Sequence, residues 1–244
     1  MSRQKSLYIL AAWLVSLVTA CSSAPQPAPS PSPTAARPTA AAAPATPSQP
    51  SPATVAAQLY NRGSEKVNSQ DFDGAVEDLS QALQIDPTLS AAYYQRGIAH
   101  FQAGRLQPAL EDFSQAVQAM PEFAGGHFYR GLVRARAGDG RGAIEDLTEA
   151  LGRNPDLAIA YFHRAMARSE LGDVQGAIED FGEVLRIEPE LASAYYNRGV
   201  AYGSTGDQQR ALDDLETAAE LFLSQGDEVN VERARAAMRA LQAS

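Results

Sequence analysis

Between residues 56 and 225 apolar and polar positions alternate with a helical period, and the whole pattern returns every 34 residues. In one half of each unit an alanine (Ala75, Ala109, Ala143, Ala177, Ala211) is followed four residues later by leucine or phenylalanine (Leu79, Phe113, Leu147, Phe181, Leu215). That is the spacing of neighbours on one helical face. In the other half an aromatic (Tyr60, Tyr94, Phe128, Phe162, Tyr196) precedes a small residue (Gly63, Gly97, Gly131, Ala165, Gly199) by three places. Pro87, Pro121, Pro155 and Pro189 keep the same interval, so the units are numbered with this proline at position 32: 56–89, 90–123, 124–157, 158–191 and 192–225. Each unit predicts two helices, at about positions 2–14 and 18–31. Gly104, Gly138, Gly172 and Gly206 mark the turn between them, followed by aspartate in the last three. Proline at 32 ends the second helix, and the fifth unit has Leu223 in its place. A last helix is expected at 229–242, with Val231, Ala234, Met238 and Leu241 on one face and Arg233, Arg235 and Arg239 away from it.

The small residue at position 8, alanine at 20, leucine or phenylalanine at 24 and proline at 32 resemble the tetratricopeptide (TPR) repeat, without a gap over 56–225. The resemblance implies an all-α fold: a right-handed α-α superhelix, or solenoid, of five helical hairpins. Residues 226–244 supply a C-terminal capping helix. It also implies a concave groove, lined by positions 2, 5, 6, 9, 12 and 13 of the first helices, that binds a protein or peptide. Two departures stand out. The family's usual Trp at position 4 is Leu59, Tyr93, His127, Tyr161 and Tyr195 here, and its usual Leu at position 7 is arginine in every copy.

Position 7 lies about 200° around the helix from position 5, so arginine and aromatic point to opposite sides. Small residues at positions 3 and 10 flank the arginine and bring a helix seam close to its head. A guanidinium there requires an acceptor. Position 23 is aspartate in all five units. Arg62, Arg96, Arg130, Arg164 and Arg198 are therefore expected to pair with Asp78, Asp112, Asp146, Asp180 and Asp214, within a repeat or across to a neighbour, as structural ion pairs. On the opposite side Tyr60, Tyr94, Phe128, Phe162 and Tyr196, with Ile98, Leu132 and Met166 at position 9, form a candidate peptide-binding groove. The same rings also fit packing between neighbouring helices. Arg136 and His163 on this arc could receive an acidic group. The Lys at position 5 and Asn at position 9 with which some TPR grooves hold a terminal carboxylate are both absent, so that specificity is not carried over.

Composition changes the picture ahead of the repeats. Residues 1–20 carry Arg3 and Lys5, then the apolar run 7–18, and end in small residues before Cys21, which is the pattern of an export signal. Twelve residues are too few to span a bilayer, which takes about 20. Val18-Thr19-Ala20-Cys21 resembles a bacterial lipobox, which implies a lipid such as palmitate on Cys21, the chain's single cysteine. An ordinary cleaved signal or an uncleaved anchor is the alternative. Residues 21–53 are rich in proline, alanine and serine and lack aromatics, a composition expected to remain a disordered tether reaching about 100 Å. Seven of the eighteen glycines fall in repeat three, which is expected to open most easily.

Removal of 1–20 takes away Arg3 and Lys5 and moves the net charge from −9 to −11, which disfavours nucleic acid and anionic lipid as partners. His100, His127 and His163 occupy unrelated repeat positions with no metal-ligand spacing, and no nucleophile–base motif is present. The chain is therefore expected to be a non-enzymatic scaffold without cofactor or metal. It would be exported and lipid-anchored to a bacterial cell membrane or outer membrane, with a protein or peptide partner. The alternative is a structural envelope module that self-associates without a dedicated ligand.

Overall fold

A computed structural model describes residues 50–243 of the 244-residue chain. The expected export signal, the lipid site at Cys21 and the tether as far as residue 49 lie outside the described residues. The described part is all-α: α1 (Pro52–Asn68), α2 (Phe72–Ile85), α3 (Ser90–Gln102), α4 (Leu106–Ala119), α5 (Ala124–Arg136), α6 (Gly140–Arg153), α7 (Ala158–Glu170), α8 (Val174–Ile187), α9 (Ala192–Thr205), α10 (Gln208–Ser224) and α11 (Glu228–Gln242). Consecutive helices pair into five hairpins, each second helix packs on the next first helix, and first helices also touch one another from α1 to α7 and between α9 and α11. The result is a solenoid of the expected kind, closed at its C-terminal end by α11.

Small residues set how closely the two helices of a hairpin approach. The five position-20 alanines are fully buried, with the position-24 side chains Leu79, Phe113, Leu147, Phe181 and Leu215 beside them. A Cβ added at Gly97 would meet the Phe113 ring at 2.9 Å, and one at Gly199 would meet Leu215 at 3.0 Å, so position 8 is small because position 24 fills it.

Turn chemistry fixes the helix boundaries. Gly104, Gly138, Gly172, Gly206 and Gly226 follow the ends of helices with φ between 74° and 87°, where a side chain is disfavoured. The aspartates after them are N-caps: Asp139, Asp173, Asp207 and Asp227 accept from the backbone N–H three residues on, as Asp71 does in the first hairpin. Arg105 stands at this place in the second hairpin and makes no cap, reaching instead to Asp73 of the first at 2.6 Å.

The two end units depart from the expected frame. α1 begins at Pro52, ahead of the repeat frame, because Ser51 caps it and proline suits the first helical position. α10 runs to Ser224 because Leu223, which is 59% exposed, cannot stop a helix as proline does. Positions 3 and 10, buried and small in the inner repeats (Ala92 and Ala99 are fully buried), are the exposed Gln58 and Glu65 in repeat one. α11 buries Val231 and Ala234 and exposes Arg233, Arg235 and Arg239. Both faces that end the stack are therefore polar. No helix among the described residues is long and apolar enough to cross a membrane.

Candidate functional site

Every position-7 arginine meets the position-23 aspartate of its own hairpin. Arg96 donates from Nε and Nη2 to Asp112 at 2.9 and 2.7 Å, Arg130 to Asp146 at 2.9 and 2.6 Å, and Arg164 to Asp180 at 2.9 and 2.6 Å. Arg198 donates to Asp214 at 2.8 and 2.9 Å, and Arg62 makes the same two-pronged contact with Asp78. All five carboxylates are buried. Their two oxygens match the parallel N–H groups of the guanidinium edge, a fit that lysine cannot reproduce.

A further row of partners escaped the sequence reading. One turn after the arginine, position 11 holds Lys66, Arg134 and Arg168, whose nitrogens lie 2.8, 3.0 and 3.0 Å from the same aspartates. His100 holds this place in repeat two, with Nε2 at 3.9 Å from Asp112 and its pKa lowered by burial. The signal was available as a basic residue four places after the arginine in four copies out of five. In the fifth copy it is Tyr202, and Arg198 packs over the rings of Tyr195 and Tyr202, 5.6 and 5.9 Å from their centroids.

The ladder also spans repeats. Arg96 donates from Nη1 to Ser80 and Arg164 to Thr148, each at 3.0 Å and each to position 25 of the preceding repeat. Among the described residues no repeat precedes Arg62, which is 57% exposed, against 12–22% for the other four arginines. Even so, the Arg62 hydrogen bonds hold the Asp78 carboxyl down to a pKa of about 2.

The aromatic row on the opposite side is divided. Phe128 and Phe162 are buried, at 5% and 9% exposure, as are Ile98 and Leu132. Tyr94 packs edge-on against Phe123 and Tyr129 with centroids 4.9 and 5.7 Å away, and Tyr129 stacks on Phe113 at 5.5 Å. For Phe128, Phe162, Ile98 and Leu132 this corrects the expectation of an exposed strip: Phe162 packs edge-on against Phe181 of α8, 5.6 Å between centroids, and Phe128 against Tyr129 and His163, so packing within and between hairpins takes up these rings. Tyr60, Met166 and Tyr196 are half-buried, while Val200 is 45% exposed. His163 sits between the Phe128 and Phe162 rings, at 6.2 and 5.9 Å, and burial lowers its pKa to about 4. It is therefore neutral near pH 7 and does not act with Arg136 as a second cation. Arg136 reaches back over the Phe101 ring of the preceding repeat, 5.5 Å from its centroid. Among the described residues, no group of His, Cys, Asp or Glu is arranged to hold a metal ion.

Comparison with known proteins agrees with this geometry. The tetratricopeptide repeat family matches residues 90–123 and 192–224, and a related TPR repeat family matches 63–104 and 167–206. The MamA crystal structure superposes with a TM-score of 0.66 at 23% identity, over 70% of this chain and 94% of that one. MamA from Desulfovibrio magneticus RS-1 does so with 0.66 at 20% identity, over 70% and 96%. YrrB, a TPR protein with an unusual peptide-binding site, gives 0.65 at 24% identity, over 74% and 91%. At these identities the likeness is one of fold. No curated protein matches the chain by sequence.

Proposed function

Because this chain is a tetratricopeptide-repeat protein, we propose that it is a protein-interaction scaffold whose partner lies along the inner face of α7 and α9. One observation carries the choice of place: Val200, beside half-buried Met166 and Tyr196, is 45% exposed, whereas Ile98 and Leu132 at the same repeat position are buried and the half-buried Tyr60 at the N-terminal end has the polar Ser64 there. Apolar surface that the fold leaves uncovered in a repeat array is where an extended or helical segment gains the most from burial. The role assigns no catalysis to the chain.

The sequence ahead of the repeats supports a second part of the proposal: export, lipid attachment at Cys21 and anchoring in a bacterial envelope membrane, with 21–53 as the tether. Labelling cells with an alkyne fatty acid tests it. Wild type acquires label and Cys21→Ala does not, and equal labelling of the two would rule the anchor out.

A photo-crosslinking residue at Val200 tests the interaction face. Discrete adducts with another protein are expected there and not at Glu145, which is exposed on the second helix of repeat three. The same adducts from both positions would remove the inner face from consideration. Phe128 and Phe162 are unsuitable for this test, because their truncation would hollow the core.

A further inference from the structure

The described residues include seventeen lysines and arginines, and all but Arg136, Arg141 and Arg233 have an acidic side chain within 4.0 Å. In a chain with 29 acidic residues and a net charge of −9, a cation without an acid beside it is unusual. Two of these three border the inner face. Arg136 ends α5 and is held over the Phe101 ring of α3. Arg233 stands on α11 close enough to Tyr196 of α9 that its charge opposes the rise that burial imposes on the phenol pKa. Its Nη1 donates to Asn230 at 3.0 Å, which orients the side chain without neutralising it.

Between these two cations the inner face is almost free of charge. Its accessible positions include half-buried Met166, Tyr196, Asn197 and the neutral His163 with the exposed Val200, and Glu170 at the end of α7 is the one acid on the arc. We propose that the inner face takes an acidic peptide segment of another protein, apolar in its middle, with Arg136 and Arg233 binding carboxylates toward its two ends. The inference rests on the inner-face reading proposed above and adds to it the charge and spacing of the ligand. First helices stacked about 10 Å apart put three steps between α5 and α11. Arg136 is the last residue of its helix and Arg233 the sixth of α11, which displaces them by about 10 Å along the helix direction. The diagonal is about 30 Å, which an extended chain rising about 3.3 Å per residue covers in about nine residues. Charge-assisted, two-pronged contacts from arginine suit carboxylates at such ends.

Selection from a randomised 14-residue peptide library on the full chain tests both layers. The expected outcome is enrichment, at least tenfold, of sequences with Asp or Glu separated by eight to ten residues, against the repulsion of an acidic protein. That enrichment disappears in Arg136→Gln/Arg233→Gln and persists in Arg141→Gln, whose cation lies on the second helix of its repeat. Selection of uncharged or basic sequences would overturn the acidic ligand while leaving the inner face as a peptide site. Failure to enrich any sequence would overturn the inner-face reading and this inference with it.

Discussion

Asp146 receives the Nε and Nη2 edge of Arg130 and, at 3.0 Å, the Nη1 of Arg134, so deleting Arg130 leaves a buried carboxylate half satisfied. Loss of one partner from a buried pair costs about 3–5 kcal/mol, and the remaining exposure of Arg130 places Arg130→Ala near the lower end. Arg62→Ala should cost distinctly less, since solvent already screens that head. Urea unfolding of the two variants in parallel checks the order, and equal losses would contradict the role of burial. The histidine between two phenylalanine rings makes a second prediction. Its folded pKa of about 4 lies below the unfolded value of about 6.5, so the unfolded chain binds the proton first. The contribution of His163 is complete above about pH 6.5 and is lost as pH falls toward 4, at up to about 1.4 kcal/mol per unit. Wild type should therefore lose more stability than His163→Gln between pH 7 and 4.5. Asp78 acts in a lower window: its stabilisation is present above about pH 3.9 and fades as pH drops to about 2.

At the scale of single helices, the sequence disclosed the hairpins through features that act locally. Proline at position 32 and, in repeats two to five, glycine after the first helix place the ends within one residue, as with α3 at Ser90–Gln102, while in repeat one Gln70 takes the left-handed place. The role of the following aspartate was hidden, because a turn residue and an N-cap look alike until the backbone shows which N–H it receives. Asp173→Ala should accordingly cost about 1 kcal/mol, read as a shift in the urea midpoint. The ion pairs were legible because both members recur in every copy. The division of the aromatic row was not, since five equivalent positions meet unequal neighbours: Tyr129 fills the arc where Asn61, Gln95 and Asn197 stand in other repeats. Four of the seven glycines of repeat three sit at helix starts. Gly125, Gly126, Gly140 and Gly142 all lie in the first turns of α5 and α6, where backbone N–H groups lack helical acceptors in any case. Hydrogen exchange should be fast at those two turns, while the rest of α5 and α6 is protected like its neighbours. Uniformly fast exchange across the repeat would mean that the glycines loosen the whole unit.

For the array as a whole, stability is approximately a sum of repeat and junction terms, so the chemistry of the two ends decides whether the stack continues into another molecule. An inner junction has small apolar residues at positions 3 and 10, as at Ala92 and Ala99, and at two junctions a position-25 hydroxyl of the preceding repeat also meets the arginine, as Ser80 meets Arg96. Repeat one offers Gln58 and Glu65 instead, and burying that amide and carboxylate without partners would cost more than the junction returns. These two side chains therefore weigh against end-to-end self-association through this face, and they can be removed. Gln58→Ala/Glu65→Ala gives repeat one the surface of an inner repeat and leaves the Arg62–Asp78 pair in place. Light scattering should find this variant associating as concentration rises, under conditions where association of wild type through this face is absent. If the variant behaves as wild type does, polarity at positions 58 and 65 is not what ends the stack, and shape mismatch between the end faces takes over that role.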